Sequence, residues 1–154
     1  MSPEHLLAFA AVAVPGFTAC AEFGSYAFVH PVVKRLEVAA HIQVERGLVH
    51  TFGHVMPLLM TLSLITVIAW ASLAPSVPIG LRVIAVGSWA FGLLTTILVN
   101  VRINTATAGW VPEESPDRWR AMRQRWEVFQ GIRSWAYLIT FLTVAFATTS
   151  SLGT

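Results

Sequence analysis

Residues 49–80 read VHTFGHVMPLLMTLSLITVIAWASLAPSVPIG, and the way this stretch divides decides the fold. Val49 to Leu73 carries no Asp, Glu, Lys or Arg. A helix needs about 20 such residues to cross the hydrocarbon core of a bilayer, so this segment is long enough to span it. Ala74-Pro75-Ser76-Val77-Pro78-Ile79-Gly80 then places two prolines in a short turn, which makes the next segment an antiparallel neighbour. That neighbour runs from about Leu81 to Val101. Working outward, Leu6 to Val29 and Ile132 to Ser150 supply two more spans. The expected architecture is all-α: an integral-membrane four-helix bundle with antiparallel transmembrane helices, forming one domain with connections at 30–48 and 102–131.

Composition supports this class. Of 154 residues, 55% are hydrophobic and 12% charged, against about 25% charged in ordinary soluble domains, and the mean hydropathy is +0.65. The apolar residues form continuous blocks rather than alternating strands, which excludes a transmembrane barrel. A single cysteine, Cys20, excludes an internal disulfide and a thiolate metal site of the zinc-ribbon kind. Met1-Ser2-Pro3-Glu4-His5 lacks the basic start of a secretory signal, so the first apolar block is expected to stay as an anchor. Nine of the ten Lys and Arg residues lie in or beside the 1–2 and 3–4 connections, with only Arg82 at the opposite end. The positive-inside rule then places both connections in the cytoplasm and both termini outside, and the expected setting is a bacterial inner membrane. Topology thus accounts for the basic balance without a nucleic-acid partner. Four short spans leave much lipid-facing surface for a homo-oligomer, although no GxxxG motif specifies an interface.

Polar groups inside spans are expensive and call for a partner or a task. Here they fall in rows. Thr18, Glu22, Ser25 and Tyr26 follow helical spacing in span 1 and lead to His30. His50 and His54 lie four apart, on one face, with Pro57 a turn deeper. Thr96, Asn100 and Asn104 form a similar row at the end of span 3. In span 4, Trp119, Arg123, Trp126, Gln130, Arg133, Tyr137 and Thr140 recur at alternating spacings of four and three, and only the next position, Val144, is aliphatic. A helix packed only for stability in lipid presents small residues at its seam; this one resembles the wall of a cavity. All four rows sit at the same end of the bundle, so they converge on a pocket in the cytoplasmic half.

Plainer readings stand beside these. Glu22 with Arg133 is a sufficient structural ion pair. Glu37, His41 and Glu45 share a face and read first as a solvated charged helix. Trp89, Trp110 and Trp135 can be interfacial anchors, while Pro15-Gly16 and Pro57 kink their helices.

The stretch Val99-Asn100-Val101-Arg102-Ile103-Asn104, followed by Trp119-Arg120-Ala121-Met122-Arg123-Gln124-Arg125-Trp126 and then Arg133, resembles the anthrone-oxygenase-like family of small four-span membrane proteins. The similarity covers most of the chain. It is carried by Asn100, Asn104, Trp119, Arg123, Arg125, Trp126 and Arg133, with Gly24-Ser25-Tyr26-Ala27-Phe28-Val29 and Pro31 closing the first helix. Gln130 stands where Asn or His is expected, and the His50–His54 pair is not a general feature of the family. The resemblance implies oxidation of a phenolic polycyclic compound, anthrone to anthraquinone, with molecular oxygen as co-substrate.

The leading expectation is therefore a membrane oxygenase or related oxidoreductase acting on a hydrophobic, aromatic phenolic substrate. Glu22 or His54 would act as base, and Arg133, Asn100 and Asn104 would stabilise the oxyanion. Trp126 and Tyr137 would stack on the ring, with Tyr26, Gln130 and Arg123 completing the substrate-binding wall. A transition metal, iron or copper, would be held by His50, His54 and Glu22, with His30 as a further candidate ligand. Two rival expectations are a haem-binding electron-transfer protein, with His30 as the ligand opposite the His50–His54 helix, and a non-enzymatic lipophilic-ligand binder or accessory subunit. In the last case every polar group of the seam would be satisfied internally and no void would remain.

Overall fold

The computed structural model describes residues 3–110 and 116–151, and every element among them is helical. Four helices run up and down: α1 (Pro3–Val33), α2 (Val38–Leu73), α3 (Ile79–Ala108) and α4 (Pro116–Ser151). All four are long and apolar enough to cross a membrane. Each packs on its two neighbours around the bundle, α1 on α2 and α4, α3 on α2 and α4. The bundle is inside out relative to a soluble one. Phe9, Phe17, Phe28, Leu58, Leu98 and Phe146 are exposed on its outer surface, where lipid takes the place of water.

The helices extend beyond the expected spans at both ends. At 36 residues, α2 is about 54 Å long at 1.5 Å per residue, well over the roughly 30 Å of hydrocarbon. It starts at Val38 because nothing from there to Arg46 breaks a helix, and only residues 34–37 separate it from α1. The opposite end is set by the prolines. The α2 helix stops at Leu73, just before the Ala74-Pro75 pair, and α3 begins directly after Pro78. Across this turn Arg82 Nη1 donates to the Ala71 carbonyl at 3.0 Å, satisfying one of the carbonyls that a helix C-terminus leaves open. Of the 3–4 connection, residues 111–115 lie outside the described residues.

The interior is layered. At the turn end Ala11, Val67, Trp70, Val77, Ala85 and Val144 form an apolar core. A middle layer joins Ala19, Met56, Met60, Trp89 and Tyr137. Here Trp89 stacks on Tyr137, ring centroids 4.0 Å apart, and donates its indole N–H to the Met60 carbonyl at 3.0 Å. Gly92 permits this: a Cβ there would lie 2.7 Å from the Tyr137 ring. At the basic end Ile42, Trp110 and Trp119 make a third cluster. Of the three tryptophans read as interfacial anchors, Trp135 is exposed, but Trp89 and Trp110 are buried in these layers.

Two helices widen between the middle layer and the basic end. At Ser25–Val29 and at Thr96–Asn100 the backbone makes single π turns, with His30 N–H bonded to Ser25 O and Val101 N–H to Thr96 O. Such turns are rare, interrupt a regular helix and are frequent at functional sites. Both flank the polar groups described next.

Candidate functional site: a buried polar cavity

The span-4 seam is buried throughout: Trp119, Arg123, Trp126, Gln130, Arg133, Tyr137, Thr140 and Val144 all face the bundle interior. From this wall Arg133 reaches α1 and α3 together. Its Nη2 donates to Glu22 Oε2 at 2.7 Å and its Nη1 to Thr96 Oγ1 at 3.1 Å. Gln130 Nε2 donates to the same Glu22 oxygen at 2.6 Å, while its Oε1 accepts from Arg133. Ser134 Oγ donates to the Glu22 backbone carbonyl at 3.2 Å. Glu22 and Arg133 are thus both buried and charge-matched, the condition under which an intramembrane pair is tolerable.

Beside this pair is a cavity of about 430 Å³, within the ~300–1,000 Å³ range of small-molecule sites. Glu22, Gln130 and Arg133 form its polar back wall with Ser25, His30, Glu45, Thr96 and Asn104. Phe52, Met56, Pro57, Met60 and Val101 supply apolar surface. Its rim carries exposed residues of α2 (Phe52, Gly53, His54) and α3 (Val101, Thr105), so the cavity meets the exterior between these two helices.

Several buried polar atoms here have no protein partner. Asn100 is fully buried, yet neither its Nδ2 nor its Oδ1 is hydrogen-bonded; Asn104 Oδ1, Arg133 Nε and Trp126 Nε1 are also unpartnered. Native interiors leave few such groups, and each is a place where a water or guest belongs.

Not every expected site residue reaches this cavity. Glu22, His54, Asn104, Trp126, Gln130 and Arg133 line it, whereas Asn100 is fully buried but is not one of its lining residues. Tyr26 instead packs on Gly131 and lines a separate cavity of about 420 Å³ between α1 and α4. Tyr137 sits one layer away under Trp89 because Gly92 leaves room for its ring there. Arg123 points toward the basic end, where it pairs with Glu45. The proposed metal set is not assembled. His50 and His54 are exposed with parallel rings 6.2 Å apart, His54 Nδ1 is bonded to the His50 carbonyl at 2.6 Å, and Glu22 is held by Gln130 and Arg133. Among the described residues no group of three His, Cys, Asp or Glu could hold a metal ion.

Sequence reasoning passed over a second ionic centre. Glu45 and His41, read as part of a solvated face, are buried. Glu45 Oε2 meets Arg123 Nη2 at 2.5 Å, and Oε1 is shared by His30 Nδ1 at 3.2 Å and His41 Nε2 at 3.4 Å. Arg123 also donates to Thr107 Oγ1 at 3.3 Å and lies over the Trp126 ring at 4.2 Å. Only Glu37 of the expected charged face is exposed. The available signal was that Arg123, already on the buried seam, lacked an acidic partner at its own depth.

Fold and site together define an integral-membrane four-helix bundle with a charge-paired cavity that opens between α2 and α3. Compared with family models, curated proteins and solved structures, the chain matches none.

Proposed function

We propose that this protein takes an apolar, planar aromatic molecule bearing a phenolic or keto oxygen from the bilayer and oxidises it with dioxygen in the α2–α3 cavity. The observation that carries this reading is the pair of unpartnered polar atoms, Asn104 Oδ1 and Arg133 Nε, on residues that line a void together with the Glu22–Arg133 pair. A seam serving only to hold the bundle together would leave neither the void nor the orphan atoms.

The chemistry assigned to the site follows from its charges. Glu22, whose Oε2 takes both donors, offers its other carboxylate oxygen to an acidic CH₂ or phenol. Arg133 Nε–H and the Asn104 amide stabilise the resulting oxyanion as preorganised donors. Dioxygen adds to the electron-rich carbon, and the hydroperoxide formed there loses water, so that CH₂ + O₂ gives C=O + H₂O. Because no group of three His, Cys, Asp or Glu among the described residues could hold a metal ion, no step is routed through a metal. The similarity of Asn100, Asn104, Arg123, Trp126 and Arg133 to the anthrone-oxygenase-like pattern supports the same substrate class. The distribution of basic residues supports a cytoplasmic face at the Lys34 and Arg120 end and outside termini, in a bacterial inner membrane.

The test is to reconstitute the chain in lipid nanodiscs and titrate an anthrone while following oxygen uptake. Saturable uptake of one O₂ per quinone formed, abolished in Arg133→Ala, is the expected result. Saturable binding without oxygen uptake would leave a binding protein, and neither binding nor uptake would remove the proposal.

A further inference from the structure

A polar cavity of about 580 Å³ at the basic end takes no part in the proposed oxidation. It lies between the α1–α2 turn, the first turn of α2 and the first turns of α4. Four cations line it, Lys34, Arg35, Arg120 and Arg123, against two carboxylates, Glu37 and Glu127. Glu45, behind Arg123 at 2.5 Å, cancels one more positive charge, so the walls keep a surplus of one. Lys34 meets Glu127 at 3.6 Å, and Arg120 meets Asp117 at 3.5 Å in an exposed pair of the kind that contributes little in water. Arg35 has no ion-pair partner among the described residues.

The backbone adds to this surplus. Glu37 precedes the first residue of α2, and its side chain bonds none of the helix amides. His41 N–H donates to the Glu37 carbonyl at 2.8 Å, so the Val38, Ala39 and Ala40 N–H groups before it lack a helical acceptor. Leu36, Glu37 and Val38 border the cavity, which sets the partially positive end of a 36-residue helix on its wall. Arg123 is an independent sign of a guest. Its side chain lines the cavity at 2% exposure, and its Nε–H has no hydrogen-bond partner. A buried donor on a positive wall is satisfied by an anion.

The level of the cavity identifies the source of that anion. Phe28 and Val32 on α1 and Val128 on α4 are exposed apolar side chains, and they bring the lipid-facing surface up to the residues where the cavity begins. Its cationic walls therefore stand at the headgroup layer. We infer that this cavity binds the phosphate of an anionic phospholipid, with Arg35 and Arg120 as charge partners and the open amides of α2 as donors. A phosphodiester carries a single negative charge, which matches the surplus on the walls. The lipid so held ties the α1–α2 turn to the start of α4, outside the Glu45 centre that joins α1, α2 and α4 in the interior. The inference does not depend on the oxidation chemistry.

To test this, the full chain is released from nanodiscs of phosphatidylglycerol and phosphatidylcholine in equal parts, and the lipids it retains are counted by native mass spectrometry. Wild type is expected to retain phosphatidylglycerol about tenfold over phosphatidylcholine, and the double variant Arg35→Ala/Arg120→Ala to lose that preference. Arg46→Ala/Arg102→Ala removes two arginines of the same end that lie outside the cavity and should leave the preference unchanged. All four side chains are exposed, so neither double variant disturbs the interior. No preference in wild type overturns the inference. Equal losses in the two double variants overturn it too, because the attraction would then belong to the basic surface as a whole. Displacement of phosphatidylglycerol by inorganic phosphate would make free phosphate the ligand and overturn the assignment to a lipid.

Discussion

Glu22 and Glu45 are equally buried and each is paired with an arginine of α4, Arg133 and Arg123, ten residues or about 15 Å apart along that helix. They differ in what surrounds the pair. Glu22 is completed by Gln130, an amide that never titrates, and Arg133 is tied onward to Thr96. Glu45 is completed by two imidazoles. One centre is a fixed network of charge pair and amide; the other is a charge pair capped by two imidazoles nearer the basic end. The same carboxylate–guanidinium unit is therefore distinguished by its third and fourth partners.

The largest expected effect comes from breaking the fixed centre. Arg133→Ala leaves Glu22 buried with only Gln130 beside it, and an uncompensated buried charge costs about 3–5 kcal/mol. Unfolding midpoints in a denaturing-detergent titration should fall accordingly, and turnover should vanish. The double variant Glu22→Gln/Arg133→Met removes both charges and should recover most of the stability but none of the turnover. Recovery of both would make the pair structural only.

The same truncation at the Glu45 centre should be milder. In Arg123→Ala the two histidines remain on Glu45 as hydrogen-bond partners, so the loss should be about 1–3 kcal/mol. Equal falls in the unfolding midpoint of Arg133→Ala and Arg123→Ala would erase the distinction between the centres.

The four helices and the buried seam of α4 were legible because both signals are local. Span length and the alternating four–three spacing of Trp119 to Val144 need only one segment at a time. The Glu22–Arg133 pair was legible because each is a costly charge at matching depth. Glu45 was not. Its helix face looks like a solvated one until α1 and α4 close over it, and nothing in the spacing of Glu37, His41 and Glu45 reports that closure. Tyr137 was misplaced for a related reason: its stripe position is right, but Gly92, on another helix, decides that its ring packs under Trp89 rather than into the cavity.

Asn104 sharpens the comparison from the cavity side, with a smaller effect. Its unpartnered Oδ1 loses nothing in protein hydrogen bonds on replacement, so Asn104→Leu should leave the unfolding midpoint unchanged or slightly raised. Binding of an aromatic phenol should weaken about tenfold, the equivalent of one lost hydrogen bond of ~1.4 kcal/mol. A clear drop in stability would mean that the amide is held within the protein and that no guest is needed to satisfy it.

The smallest expected effects test whether the widened turns belong to the site. Gly87 lies in regular helix in the apolar half of the bundle and Gly24 directly precedes the Ser25–Val29 π turn, and a Cβ added at either meets nothing within 4 Å. Alanine at position 87 should therefore stabilise α3 by up to about 1 kcal/mol, the propensity difference between the two residues. At position 24 the gain should be smaller, because alanine favours the tighter turn that α1 gives up there, and His30 and Ser25 are placed by the wider one. Unfolding midpoints of the two variants, with phenol affinity measured alongside, separate the cases. A full gain at Gly24 with affinity intact would mean that the π turn is indifferent to its neighbour. A partial gain with weakened affinity would tie the widened backbone to the cavity it borders.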